Sequence, residues 1–223
     1  MDDILYSADH HFLHGGNNPA NPRAGVIEWC KRPFDNVDDM TEALIESHNS
    51  VVERSTNVIF LGDFAVGRDS RSMQKIFDKL KGRKHLIIGN HDRADVLRLR
   101  WSSEPCHRKT IQDGSNKIYL DHLPIHSWPG MYRGVFHFHG HTHGRLPSRG
   151  RMIDVGVDSW GFGPIRAVDA IARMREWNVD FDTYAPERHD IIRSAEENLP
   201  LDYDYDPEVR DEGYEDTLLT LSA

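Results

Sequence analysis

The sequence predicts an α/β fold in which helices cover layers of β-sheet, and three observations indicate this class. Short apolar runs with the length of buried strands recur along the chain, and segments between them carry apolar residues at helical spacing. Several of the runs stop at polar residues, as strands do in layered α/β proteins that bind a ligand. Hydrophobic residues make up 38% and charged residues 28% of the 223 residues, which suits one globular domain with a large core.

The predicted elements follow one another in an order that suits this class. The first strand is Ile4–Ser7, and a long segment without periodicity, 14–34, separates it from a helix at 35–53. The pair Asp113-Gly114 is typical of a hairpin turn between two strands. Further strands are predicted at 58–61, 84–88, 107–112, 117–120, 135–138 and 152–155, and further helices at 73–80, 93–100 and 165–177.

The net charge of −9 belongs to the C-terminal part of the chain. Residues 186–223 contain 12 acidic and 3 basic residues, a net charge of −9, which leaves 24 of each sign before them. We therefore predict one domain at 1–185 and a partly disordered acidic tail at 186–223, because such a composition buries little apolar surface. A neutral body also gives no electrostatic support to a nucleic-acid partner.

Two further features bear on where the protein works. No apolar run approaches the ~20 residues that span a bilayer, and the acidic N-terminus does not have the pattern of a signal peptide. Cys30 and Cys106 are the only cysteines and neither lies in a motif, so a disulfide framework is not expected. We therefore expect a cytoplasmic protein without a membrane partner, and its state as monomer or homodimer stays open.

Five of the predicted strands end in residues that can hold a metal ion. Glycine precedes three of these clusters, where the absence of a Cβ permits a tight exit from the strand. Because strand ends meet at one edge of a sheet, the clusters should form one site. The clusters are Asp9 with His11, Asp63 after Gly62, Asn90-His91-Asp92 after Gly89, His122 after Asp121, and His141 with His143 after Gly140.

The number of potential ligands predicts two ions. Seven side chains are too many for one open catalytic ion, which takes about three protein ligands, and they suit two ions with a bridging carboxylate. Each Asp-x-His or His-x-His pair would point to one side if its chain were extended. Oxygen and nitrogen donors without a thiolate favour manganese, with iron, zinc or nickel as alternatives.

The tetrad Gly89-Asn90-His91-Asp92 combines three polar functions at one strand end. We interpret Asn90 as a metal ligand, His91 as the residue that handles a proton and Asp92 as the residue that orients His91. His10 should point away from the site, because alternation places it opposite its neighbours.

The whole motif series, from Asp9-x-His11 to Gly140-His141-x-His143, resembles that of the calcineurin-like metallophosphoesterase superfamily. Small bacterial and phage members look most similar. The resemblance implies a four-layer αββα sandwich of two mixed β-sheets flanked by helices. Protein Ser/Thr phosphatases differ, since their tetrad ends in Glu and not in Asp92.

The resemblance also implies a role for each site residue. It assigns one ion to Asp9, His11 and His143, a second ion to Asn90, His122 and His141, and the bridge between them to Asp63. It makes His91 the general acid or phosphate contact, with Asp92 as its partner.

Four further residues are weaker candidates. His14 and His139 lie beside the motifs in sequence and could support metal ligands from behind. Arg32 and Arg93 could each bind a phosphate through the two-pronged guanidinium.

These observations together predict a dinuclear metal-dependent phosphoesterase. The preferred activity is hydrolysis of a small phosphodiester, such as a cyclic nucleotide, by a hydroxide that bridges the two ions. A phosphomonoesterase, including a protein phosphatase, is the alternative enzyme. A non-catalytic interaction scaffold is the alternative from another class, because one retromer subunit has the same fold.

Overall fold

The computed structural model describes residues 3–15, 20–67 and 69–177. The predicted acidic tail at 186–223 and the predicted domain boundary at 185 lie outside these residues. Within them, no helix combines the length and the apolar character that crossing a bilayer requires.

The described strands form two mixed sheets of four strands each. In chain order the strands are β1 (Ile4–Ser7), β2 (Asn57–Leu61), β3 (Arg83–Ile87), β4 (Arg108–Asp113), β5 (Asn116–Asp121), β6 (Phe136–His139), β7 (Met152–Asp154) and β8 (Ile165–Arg166). The first sheet has the order β3-β2-β1-β8, with β8 antiparallel to β1 and the other pairs parallel. The second has the order β4-β5-β6-β7, in which only β4 and β5 are antiparallel.

Five described helices accompany the strands, and the first three of them connect the parallel strands β1, β2 and β3 of the first sheet. They are α1 (Val26–Trp29), α2 (Val37–Val51), α3 (Ser70–Lys79), α4 (Ala94–Leu97) and α5 (Ala167–Trp177). The Asn36 side chain accepts hydrogen bonds from two backbone N–H groups at the start of α2, and Asp69 accepts one at the start of α3. These caps satisfy amides that have no partner inside the helix, so α2 and α3 each begin at a defined residue.

Alternation along β2 divides the apolar core into two layers. Ile59 and Leu61 face the space between the sheets, where they join Phe138 of the second sheet. Val58 and Phe60 face the opposite side and pack with residues of α2 and α3. The first sheet is therefore buried on both faces, as its nearly continuous apolar strands require.

The outer face of the second sheet has its own cover. A segment with a 3₁₀ turn at Met131–Arg133 packs there through Trp128 and Met131, which contact Tyr119 of β5. The predicted α/β architecture, two mixed sheets flanked by helices, is confirmed.

Two predictions about individual elements differ from the structure. The predicted helix at 165–177 begins only at Ala167, because Ile165 and Arg166 pair with β1 as β8. A two-residue strand is too short to produce an alternating pattern, so the sequence did not reveal it. The segment 14–34, predicted to have no regular structure, contains the single turn α1.

Candidate metal centre and active site

The predicted ligands have an unusual backbone conformation. Non-glycine residues rarely adopt a positive φ, and such strain is concentrated at functional sites. The i, i+2 ligand pairs were predicted to point to one side because their chain is extended. That reason is wrong, because these pairs lie in left-handed turns and not in extended strand. Five of the seven candidate ligands have a positive φ, namely Asp9 (58°), His11 (50°), Asp63 (53°), His141 (71°) and His143 (50°).

Two glycines make room for the ligands. A Cβ atom on Gly89 would lie 2.4 Å from Asp63 Oδ1, and one on Gly62 would lie 2.5 Å from His122 Nδ1. Gly62 also has a φ of +87°, which favours glycine. The turns after β2 and β3 therefore approach each other more closely than a side chain at either glycine would allow. This approach brings the Asp63 carboxylate and the His122 imidazole into one site.

The first group of candidate ligands consists of Asp9, His11 and His143, whose ligand atoms lie within 4.8 Å of one another. Asp9 and His11 are buried, and His143 is half-buried. His11 Nε2 is buried without a hydrogen-bond partner and lies 3.3 Å from Asp63 Oδ2. A buried imidazole nitrogen without a hydrogen-bond partner is unusual in a folded protein, and binding of a metal ion would satisfy it.

The second group consists of Asn90, His122 and His141. Asn90 Oδ1 lies 2.8 Å from His122 Nε2 and 2.9 Å from His141 Nδ1. His122 Nδ1 donates to the Leu61 carbonyl at 2.8 Å, which turns Nε2 toward the site. A neutral His122 would then present a lone pair to the Asn90 oxygen, so this arrangement needs either a proton or a cation between them.

Asp63 lies between the two groups. Its Oδ2 is 3.3 Å from His11 Nε2 and 3.5 Å from His122 Nε2, and its Oδ1 accepts the backbone N–H of His91 at 2.8 Å. Burial acts to raise the pKa of Asp63, but the close imidazoles of His11 and His122 outweigh it and hold the pKa well below its usual range. Asp63 is therefore an ionised carboxylate in the position that a bridging ligand would take.

The other charged groups respond to the same burial. Burial raises the pKa of Asp9 to about 7. Burial lowers the pKa of His122 and of His143, but nearby carboxylates outweigh it and raise these values to about 9 and about 10. A divalent ion would compete with a proton for each of these two histidines. The donor set of nitrogen and oxygen atoms fits such ions.

A buried ion pair supports His143 from behind. Asp158 accepts from His143 Nδ1 at 2.7 Å and receives Arg32 Nε and Nη2 at 2.8 and 2.7 Å. Arg32 is 1% exposed and also donates to the carbonyls of Asp9 and His10. The predicted phosphate contact of Arg32 is therefore not formed, because its guanidinium is committed to the frame of the first group.

Asp154 and Asp158 contact the ligand turns, although neither was predicted from the sequence. Asp154 anchors the turn that carries His141 and His143. It accepts from Thr142 Oγ1 at 2.5 Å and from the Gly144 N–H at 2.9 Å. A signal for both aspartates was available, since Asp154 lies within the apolar run at 152–155 and Asp158 lies three residues after it.

Asp92 has a different role from the one predicted. Its carboxylate accepts the backbone N–H groups of Gly89, Asp63 and Phe64 at 2.9, 3.0 and 2.9 Å. It therefore ties together the two turns that carry Asn90 and Asp63. The prediction that Asp92 orients the His91 ring does not hold in this structure, because both carboxylate oxygens are used on backbone amides.

His91 is half-buried at the mouth of the site. The centre of its ring is 5.2 Å from that of His11 and 6.1 Å from that of His14. Arg93 is exposed and, with His91, lines a small cavity of about 170 Å³. Both residues therefore lie on a surface that a substrate can reach. The proton role of His91 and the phosphate role of Arg93 stay predictions.

The remaining candidates lie around the ligands. His14 Nδ1 is 3.0 Å from His11 Nδ1, so it contacts a candidate ligand directly. His139 Nδ1 donates to the Gly140 carbonyl at 2.8 Å and contacts the turn before His141. His10 points away as predicted, with Nε2 3.2 Å from Ser7 Oγ and its ring among buried phenylalanines.

Several known proteins are similar to the chain in sequence. No family model matches it. The uncharacterized protein MJ1445 of Methanocaldococcus jannaschii is 28% identical over 185 residues, which are 79% of this chain and 93% of that protein. The Gene 66 protein of Mycobacterium phage D29 is 28% identical over 191 residues, which are 72% of this chain and 90% of that protein.

Two solved structures are similar to the chain to different degrees. The protein of unknown function AQ665 from Aquifex aeolicus superposes with a TM-score of 0.59 at 20% identity, over 78% of this chain and 100% of that chain. YfcE, a phosphoesterase from E. coli, has a TM-score of 0.35 at 16% identity, over 69% of this chain and 77% of its own. The likeness to AQ665 shows a shared α/β fold of two mixed sheets flanked by helices, and the site of this chain is the basis for arguing its function.

Proposed function

We propose that the chain is a dinuclear metal-dependent phosphoesterase, and within this class a phosphodiesterase for small diesters such as cyclic nucleotides. The observation that supports it best is the pairing of two ligand groups across one shared carboxylate, Asp63. Two cation positions beside one anionic bridge suit a reaction in which negative charge develops on phosphoryl oxygens.

The first group, with Asp9, His11 and His143, would hold one ion, and the second group would hold the other. Manganese is the first expectation for both positions, because all donors are nitrogen or oxygen. When bound, divalent ions supply Lewis-acid activation of water and neutralise charge at the phosphoryl group. Asn90 contributes a neutral oxygen, which limits the negative charge that an anionic substrate meets.

His91 is the proposed general acid. Its backbone N–H donates to Asp63 Oδ1, and the centre of its ring lies 5.2 Å from that of His11. A protonated imidazole there can donate its proton to the leaving oxygen, or stabilise the charge on it. Arg93, beside His91 in the same cavity, is the proposed contact for a phosphate oxygen.

Charge supports a small diester over the alternatives. A monoester carries one more negative charge than a diester, and Arg32, which could have met that charge, is buried against Asp158. The balance of 24 acidic and 24 basic residues in 1–185 also gives little attraction for nucleic acid.

The direct test is turnover of bis-p-nitrophenyl phosphate and of p-nitrophenyl phosphate by the purified chain with Mn²⁺, Zn²⁺ or Ni²⁺, with the metal content measured per chain. We expect faster turnover of the diester and two ions per chain. Full activity with a single ion would overturn the dinuclear proposal. Faster turnover of the monoester would make the chain a phosphomonoesterase.

A further inference from the structure

We infer that Trp29 is a stacking platform for a planar aromatic group of the substrate, and that this group is a nucleobase. The inference rests on the proposed function, because it names the part of a phosphoester that lies beyond the phosphate. It begins from an exposed side chain: 61% of the Trp29 surface is accessible, although Val26 and Ile27 of the same helix are buried.

The helix that carries Trp29 is rigidly placed. Val26 and Ile27 of α1 are buried in the core next to the first sheet. The backbone N–H of Trp29 donates to the Gly25 carbonyl at 3.0 Å, and the Trp29 carbonyl accepts from the guanidinium of Arg145. The backbone that carries the indole is therefore held by buried side chains and by hydrogen bonds, which lowers the cost of ordering this backbone when a ligand binds.

Three contacts place Trp29 at the rim of the first ligand group. Its ring lies 5.2 Å from the ring of His14, which contacts His11. Arg145, which holds its carbonyl, follows His143 by two residues. Cys30, the next residue in the chain, has its sulfur within 4.8 Å of a His143 nitrogen.

The orientation of the ring leaves a face for a ligand. The planes of Trp29 and His14 are at 83°, an edge-to-face contact, so at most one face of the indole is covered by His14. A single exposed aromatic residue is common on protein surfaces and means little by itself. Trp29 differs because its ring is one side chain away from a candidate metal ligand, about where a group attached to the phosphate through a sugar would lie.

Among substituents of phosphoesters, a nucleobase is the planar aromatic group that an indole would stack on. Stacking of a base on an aromatic side chain is tolerant of base identity, because every base has a π-face. We therefore expect selectivity for nucleotides over sugar phosphates, with little preference among the bases.

The test compares adenosine 5′-monophosphate with ribose 5-phosphate, which share the sugar and the phosphate and differ in the base. Binding of each to the Mn²⁺-loaded protein is measured by calorimetry, and each is also tested as an inhibitor of diester turnover. We expect the wild type to bind the nucleotide about tenfold more tightly, Trp29→Ala to remove this difference, and Trp29→Phe to keep most of it. Trp177→Ala, at a similarly exposed tryptophan on α5, is the control and should keep the full difference.

Other results would overturn the inference. Equal binding of the two ligands by the wild type would exclude stacking. An equal loss for both ligands in Trp29→Ala would mean that Trp29 acts by supporting His14. If no phosphoester is hydrolysed but the nucleotide preference depends on Trp29, the proposed catalytic function fails and the stacking site stands. If diesters are hydrolysed and the preference is absent, only the stacking inference fails.

Discussion

The first and second ligand groups contain similar residues but differ in what surrounds them. In the first group, Asp9 and His11 are buried, and a buried ion pair of Arg32 and Asp158 supports His143. In the second group, Asn90 and His141 are exposed, and only His122 is buried. Under the proposed function, the first group would hold its ion within the fold, and the second group would hold its ion where solvent and substrate reach it.

The largest expected effect comes from Asp63, which is shared by both groups. Asp63→Asn keeps the size and the acceptor for the His91 N–H but removes the charge between the two groups. We expect kcat/KM to fall by about 10³-fold or more and both ions to be lost on dialysis. Asp121→Asn, a carboxylate at another strand end, is the matched control. An Asp63→Asn protein with two ions and normal turnover would contradict the bridging role.

The next effect should come from His91, which belongs to neither group. Removing a general acid costs about 10²–10⁴-fold in kcat. We expect His91→Asn to show a loss in this range with an unchanged metal content, as measured by steady-state kinetics and elemental analysis. His107→Asn, at an exposed histidine on another part of the surface, should behave as the wild type. Wild-type turnover in His91→Asn would exclude the proton role.

Asp158→Asn tests whether the two groups are independent. Residues that orient a ligand contribute about 10–100-fold to metal affinity, so we expect this loss for one ion per chain and no loss for the other. Competition with a chelator would measure the two affinities. Because the variant leaves the Arg32 charge buried and unpaired, it should also be less stable. Arg32→Met combined with Asp158→Asn removes that charge, and the selective loss of affinity should persist.

The smallest effect on chemistry should come from Asp92. An amide at this position presents an N–H group to backbone donors, so Asp92→Asn should lower the free energy of unfolding by about 1–3 kcal/mol. Chemical denaturation measures this change. The pH profile of the folded enzyme should stay that of the wild type. A shifted profile with normal stability would instead indicate that Asp92 acts on His91.

Much of the site could be predicted from local sequence. Apolar runs locate the strands, and the residues that follow them lie at the sheet edge, which brings Asp63, Asn90 and His122 together. The left-handed turns at Asp9 and His141 could not be predicted in the same way, because non-glycine residues adopt them only where the surrounding structure imposes the strain.

The partners of charged side chains were the main errors. Asp92 was assigned to the chemistry as the partner of the adjacent His91, and Arg32 because a guanidinium can bind a phosphate. In the structure Arg32 pairs with Asp158, 126 residues away, and Asp92 accepts three backbone amides from two different turns. The partner of a charged side chain depends on which donors and acceptors are buried beside it. The spacing of residues in the sequence does not indicate which distant groups these are.

The sequence by itself determined the α/β class and the positions of the candidate ligands, because hydrophobic periodicity and chain direction decide where strands end. Only the tertiary structure decided how those ligands are divided into a buried group and an exposed group. It also decided that Trp29 lies at the rim of the buried group. The burial of a side chain depends on how segments that are distant in sequence pack together, and a local sequence pattern does not predict that packing.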